Sequence, residues 1–176
     1  MSFYLWHFWL YSFLGYLLEK VFAAAVHSPH QVRRCFLLLP LCPVYGLGML
    51  LVLSAPQEVL SSPLLPLWGG TAATAVEYAV HWGYERLLGV RFWDYTGQMG
   101  NLRGRVCLPF SLVWGLLTAV TVIWVEPWIA ALSAAAQPWL TWGALLVFTA
   151  DGVVTFFVLR YTGDIDALGA YTTWKR

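Results

Sequence analysis

This chain is poor in charge. Lys, Arg, Asp and Glu make up 11% of its 176 residues while 60% are hydrophobic, and a soluble domain usually carries about 25% charge. Too little polar surface remains to cover a soluble globule, so the composition predicts an all-α membrane protein. No Gly-x-x-x-x-Gly-Lys-Ser/Thr pattern occurs, which excludes a P-loop nucleotide site on this chain. No polar tract is long enough for a soluble domain, and no nucleic-acid partner is expected. Metal ligands are sparse as well. His27 and His30 sit in a loop without further ligands at motif spacing, so neither a metal nor another cofactor is expected. The three cysteines, Cys35, Cys42 and Cys107, fall toward the basic half of the chain, whose reducing side argues against a stable disulfide. Cys42, between two prolines, reads either as a reactive thiol or as a small buried hydrophobe.

Long apolar runs are what the sequence has in plenty. About 20 residues are needed to cross a hydrocarbon core of ~30 Å, and five stretches meet or approach that length: 2–26, 36–53, 64–84, 106–125 and 138–159. They form a single transmembrane domain over 1–160, followed by a short tail, 161–176. The first stretch lacks the basic start of a signal peptide and carries Glu19-Lys20 just before its alanines, which predicts a retained helix. Pro40, Pro43 and Pro109 stand in opening turns, where a missing amide proton is tolerated. Residues 56–63 are expected to form one turn at the opposite face, and 126–137 the other, as an interfacial helix.

All ten Lys and Arg residues fall on one side of this map: Lys20, Arg33, Arg34, Arg86, Arg91, Arg103, Arg105, Arg160, Lys175 and Arg176. By the positive-inside rule, the N-terminus lies outside and the C-terminus in the cytoplasm. Trp6, Trp9, Trp68, Trp124, Trp128, Trp139 and Trp142 mark the opposite face as an aromatic belt. The map also accommodates a parallel two-helix repeat. Arg34-Cys35 … Pro40 … Tyr45-Gly46-Leu47 parallels Arg105-Val106-Cys107 … Pro109 … Trp114-Gly115-Leu116, with different internal spacing.

The polar residues concentrate between Glu77 and Gly115 and on three membrane acids. An acid at a helix centre costs about 2.5 to 3.5 kcal/mol to insert, so Glu19, Glu77 and Asp151 need a reason. Two readings stay open: the acids are protonated or paired and serve packing, or they line a polar cavity that binds a proton, cation or substrate. Glu77, His81 and Glu85 recur every four residues, a stripe along one helix face that suits a proton relay. Arg34, Arg103 and Arg105 flank the starts of the second and fourth spans, where helix N-termini attract anions. With Asn101, Trp93, Asp94 and Tyr95 they make a candidate site for a lipid headgroup or phosphate-bearing ligand. Some of these arginines simply obey the positive-inside rule, and Asp94 between two aromatics suits a structural clamp better than a catalytic acid.

These residues resemble the ABC-transporter type IV family of small bacterial multi-pass membrane proteins. The matching pieces are Tyr11-Ser12-Phe13-Leu14-Gly15 with Glu19, Arg34, Phe36-Leu37, Pro40-Leu41-Cys42-Pro43-Val44-Tyr45-Gly46-Leu47-Gly48, Glu77-Tyr78, Trp93-Asp94-Tyr95, Asn101, Gly104-Arg105-Val106-Cys107-Leu108 and Trp114-Gly115. Cys35 and Leu39 stand where the family has glycines. The resemblance implies transport across the bacterial inner membrane, as a permease with a separate ATPase subunit; five short helices that enclose little volume alone, with glycine faces for close packing, predict a homo-oligomer. Two other classes stay open: a membrane-embedded enzyme acting on lipid or isoprenoid phosphate, and an accessory subunit without a ligand of its own. The sequence designates no catalytic residue.

Overall fold

The computed structural model describes residues 1–25 and 35–168. Within them the chain is helical: α1 (Ser2–Ala25), α2 (Pro43–Leu53), α3 (Gln57–Leu60), α4 (Leu65–Leu88), α5 (Leu108–Val120), a π-helical turn (Thr121–Val125), α6 (Glu126–Ala135) and α7 (Pro138–Thr162). Two helical stretches are long and apolar enough to cross a membrane, the continuous Leu108–Ala135 and Pro138–Thr162. α1 packs along α2, α4 along α5, and α2 against α4, while α6 returns to α1.

Three expectations about these elements need correction. Helix α2 starts at Pro43, well inside the stretch read as a span over 36–53, and its 11 residues extend only about 16 Å. The cause is the pair Pro40 and Pro43. Each disfavours helical backbone in the residue before it and would press its ring on a carbonyl one turn back. Cys42 is accordingly extended (φ −115°, ψ 90°) as the N-cap, with Pro43 at the first helical position. The amides that the missing helix would have used find other acceptors. Leu38 and Leu39 N–H donate to Asp151 at 3.1 and 2.8 Å, and Cys42 N–H donates to the Ser12 carbonyl at 2.8 Å.

The second correction concerns 126–137, expected as a separate interfacial element. It continues the helix begun at Leu108, and the chain turns only at Ala136 and Gln137. Pro127 does not break this helix because the π turn just before it is wider, leaving room for a ring that a regular turn would set against the carbonyl four residues back.

The third concerns the cysteines. Cys35 and Cys42 are joined as a disulfide with Cα atoms 5.4 Å apart, because the irregular segment between them folds back within bridging distance. Cys107 is a free, buried thiol.

The helix pairs meet through glycine. A Cβ on Gly46 would lie 2.5 Å from the Phe8 carbonyl oxygen, and one on Gly115 2.5 Å from the Pro66 carbonyl oxygen. Phe8 precedes Glu19, and Pro66 precedes Glu77, by the same eleven residues. Each close approach therefore lies three turns along a helix from one acid. Of the expected tryptophan belt, Trp124, Trp128, Trp139 and Trp142 are exposed. Trp9 is buried, and Trp6 and Trp68 are tied by hydrogen bonds to Thr141 and the Val52 carbonyl.

Candidate functional site

Glu77 lies on α4 and is 6% exposed. Tyr95 OH donates to its Oε1 at 2.9 Å and Trp114 Nε1 to its Oε2 at 3.1 Å. Glu19, on α1, accepts from Tyr45 OH at 2.7 Å. The Tyr45 and Trp114 rings meet edge to face, 5.6 Å between centroids, so the two acids are held on either side of one aromatic contact. A cavity of about 30 Å³ lies beside Glu19, lined also by Cys35, Cys42, Tyr84 and Trp93 among others. That is room for about one water or one small ion.

The loop between α4 and α5 closes over Glu77. Gly89, in left-handed backbone, ends α4 as glycine does without a side-chain clash. Trp93 Nε1 donates to the Arg105 carbonyl at 2.9 Å, Tyr95 N–H donates to the Gly104 carbonyl at 2.7 Å, and Leu102 bridges to Val106. Gly104 has φ +70°, and a Cβ there would meet Asp94 Oδ1 at 2.5 Å. Asp94 is a turn residue: it accepts from Thr96 N–H and Oγ1 at 2.8 and 2.6 Å. Those two bonds, and then Arg91, hold its carboxyl below the usual carboxylate range. The Tyr95 phenol is pushed up, first by burial and then by Glu77, so it stays a donor.

Arg105 is turned inward. Its Nε and Nη2 both donate to Glu85 Oε2 at 2.7 Å, and its Nη1 donates to Tyr78 OH at 2.8 Å, with the guanidinium 4.9 Å from the centre of the Tyr78 ring. Burial acts to lower the guanidinium, but Glu85 and then Tyr78 outweigh it and hold it above its ordinary value. Glu85 also takes Arg91 Nε at 2.5 Å. Arg105→Ala is expected to unlatch the loop, read as faster trypsin cleavage at Arg91 and Arg103. Arg105→Lys, which cannot reproduce the forked contact, is expected to fall between. Cleavage at the wild-type rate in Arg105→Ala would show that the latch lies elsewhere.

His81, 1% exposed, donates Nε2–H to the Trp93 carbonyl at 2.9 Å. Its Nδ1 has no hydrogen-bond partner and stands 3.5 Å from Glu85 Oε2. The three residues of the expected stripe have separate partners: Glu77 meets Tyr95 and Trp114, His81 the loop backbone, and Glu85 the arginines.

The remaining expected site residues are elsewhere. Asp151 has different partners, accepting from Leu38 and Leu39 N–H and from Thr155 Oγ1, so the expected grouping of three acids is a grouping of two. Arg103 is exposed at the loop tip with φ +56°. Asn101 Oδ1 lies 3.3 Å from Gly104 N–H, and its Nδ2 donates to the Gln98 carbonyl. Arg34, with Arg33, lies outside the described residues. Tyr45, Trp114 and Tyr78 were not expected as site residues. The parallel between Tyr45-Gly46 and Trp114-Gly115 was the signal that could have found the first two.

Residues 6–156 match a family model whose description is "Putative ABC-transporter type IV". The chain belongs to that family. The match takes in Glu19, Glu77, the loop and Asp151. No curated protein and no solved structure matches the chain. Membership in the type IV family and the two long apolar helices together point to a membrane protein related to ABC transporters.

Proposed function

We propose that this is a small multi-pass transport protein whose working centre is the pair of acids Glu19 and Glu77, with Glu77 holding a proton or small cation under the 89–107 loop. One observation carries this reading. Glu77 is 6% exposed, accepts only neutral donors, and has no basic partner among the described residues. An ionised carboxylate so placed lacks a counter-charge, and binding a proton or cation supplies it.

The family name supports a permease role beside a separate ATPase subunit. In this reading the chain crosses the inner membrane five times, N-terminus outside, with α2 completed by the irregular stretch before it. Backbone of that kind is stable at membrane depth when protein groups satisfy it, and Asp151 does so. The matching approaches of Gly46 and Gly115 support an origin in two parallel repeats, one acid from each. Exposed Arg103 at the loop tip supports contact with an anionic headgroup or phosphate at the cytoplasmic face. The small cavity beside Glu19 favours a homo-oligomer or partnered assembly over a lone pore.

Purified protein in liposomes with an entrapped pH-sensitive dye tests this directly. Under an imposed pH gradient, Glu77→Gln is expected to slow proton flux on the order of a hundredfold, while Glu58→Gln, at an exposed acid, leaves it unchanged. Equal flux in both variants would remove Glu77 from any carrier role.

A further inference from the structure

At the far end of α1 from Glu19, a second carboxylate, that of Glu126 with its side chain 19% exposed, meets a buried histidine. His7 is 2% exposed and Tyr11 3%. His7 Nε2 lies 3.1 Å from Glu126 Oε1, and Tyr11 OH donates to Glu126 Oε2 at 2.5 Å. His7 Nδ1 lies 3.0 Å from the Phe3 carbonyl oxygen. Twelve residues of α1 separate His7 from Glu19, about 18 Å along the helix.

The hydrogen-bond inventory constrains what sits between these groups. A carbonyl oxygen only accepts, so the Phe3 contact needs the proton on Nδ1. In a neutral ring Nε2 is then a lone pair facing a carboxyl oxygen at 3.1 Å. The contact is a hydrogen bond only if one further proton lies there, on Glu126 or on the ring as imidazolium. Either way His7 and Glu126 together are neutral. Without that proton, two acceptors face each other and an anion is left with one phenol as donor.

The groups facing the pair offer no other counter-charge. From α1 they are Tyr11 and the Phe3 carbonyl. From α7, Thr141 is engaged with Ser2 and Trp6. Among the described residues neither His7 nor Glu126 has another ion-pair partner. A second observation singles out the same place. The π turn Thr121–Val125 ends directly at Glu126, and one extra residue in a turn rotates everything after it by roughly 100° about the helix axis. Such turns recur at functional sites, and here the rotation is what brings Glu126 round to α1.

We propose that His7 and Glu126, with Tyr11 as fixed donor, form a proton-binding site that takes up and releases one proton as a unit. It does not rest on the Glu77 reading. Taken together with the proposed role of the Glu19 and Glu77 pair, it would give α1 a proton station near each end, one against α6 and one against α2.

Nitrogen NMR of imidazole-labelled protein in lipid nanodiscs tests it, with the His7 signals assigned by their loss in His7→Gln. Across a pH titration the wild type is expected to keep Nδ1 protonated while Nε2 passes through one transition. The infrared carboxylic-acid or carboxylate band that Glu126→Gln removes should change at the same pH. In Glu126→Gln the side-chain amide donates to Nε2, so the His7 transition is expected to disappear with the fold intact. A His7 transition unchanged in Glu126→Gln, or no transition at all in the wild type, would overturn the proposal. Proton flux through Glu77 enters neither readout.

Discussion

Asp151→Ala is expected to destabilise the protein: its two backbone hydrogen bonds to a charged acceptor, at about 1.5 to 3 kcal/mol each, sum to about 3 to 6 kcal/mol before any opposing gain. Two effects oppose one another. Removing the carboxylate relieves a burial cost of about 2.5 to 3.5 kcal/mol, which by itself would stabilise. It also strands the Leu38 and Leu39 amides in a non-helical segment, and each unsatisfied amide in hydrocarbon costs several kcal/mol. Two such amides outweigh one carboxylate, so the net effect is loss. Asp151→Asn separates the two contributions, because its single carbonyl oxygen can serve one amide while its NH₂ group opposes the other. It should fall between wild type and alanine. Thermal unfolding in detergent, followed by helical circular dichroism, is the measurement. An Asp151→Ala protein melting with the wild type would mean that the segment before Pro43 is held by something else.

Gly115→Val should be comparably severe, for a steric reason. Its Cβ would stand 2.5 Å from the Pro66 carbonyl oxygen, with the Gly70 Cα at 3.7 Å. Both contacts are backbone, so no side chain can swing away, and the α4–α5 pair must part. Overpacking of this kind costs about 1 to 3 kcal/mol or more, and the consequence extends three turns along α4 to Glu77. Trp114, beside the glycine, would be drawn away from the Glu77 carboxylate that it now reaches at 3.1 Å. Loss of proton flux together with a lower melting temperature is the expected pair of results. Gly143→Val is the control, since nothing lies within 4 Å of a Cβ there. Equal behaviour of the two variants would show that the glycine contact does not set the acid.

Several residues could be read without coordinates. The stripe of Glu77, His81 and Glu85 was legible because helical period alone places them on one face. The parallel between Tyr45-Gly46 and Trp114-Gly115 was legible for the same reason, as a local pattern. The partners of Arg105 and Asp151 were not. Charge counts place an arginine near an interface but do not reveal that Glu85, twenty residues earlier, will occupy it. Asp151 appeared as a third acid of the group because its cost was visible and its acceptor role was not. The amides it serves are exposed to need only by the two prolines more than a hundred residues away.

Composition and periodicity by themselves made this an apolar, helical protein with acids placed where burial penalises them, since transfer cost and helical repeat are local properties of the chain. Only the tertiary structure decided which acid has which partner: Glu77 and Glu19 at one aromatic contact, Asp151 on stranded amides, and Glu126 turned toward His7 by a single widened turn. Those pairings depend on how backbones approach at Gly46 and Gly115 and on where a helix fails to form. Both are settled by packing between segments distant in sequence.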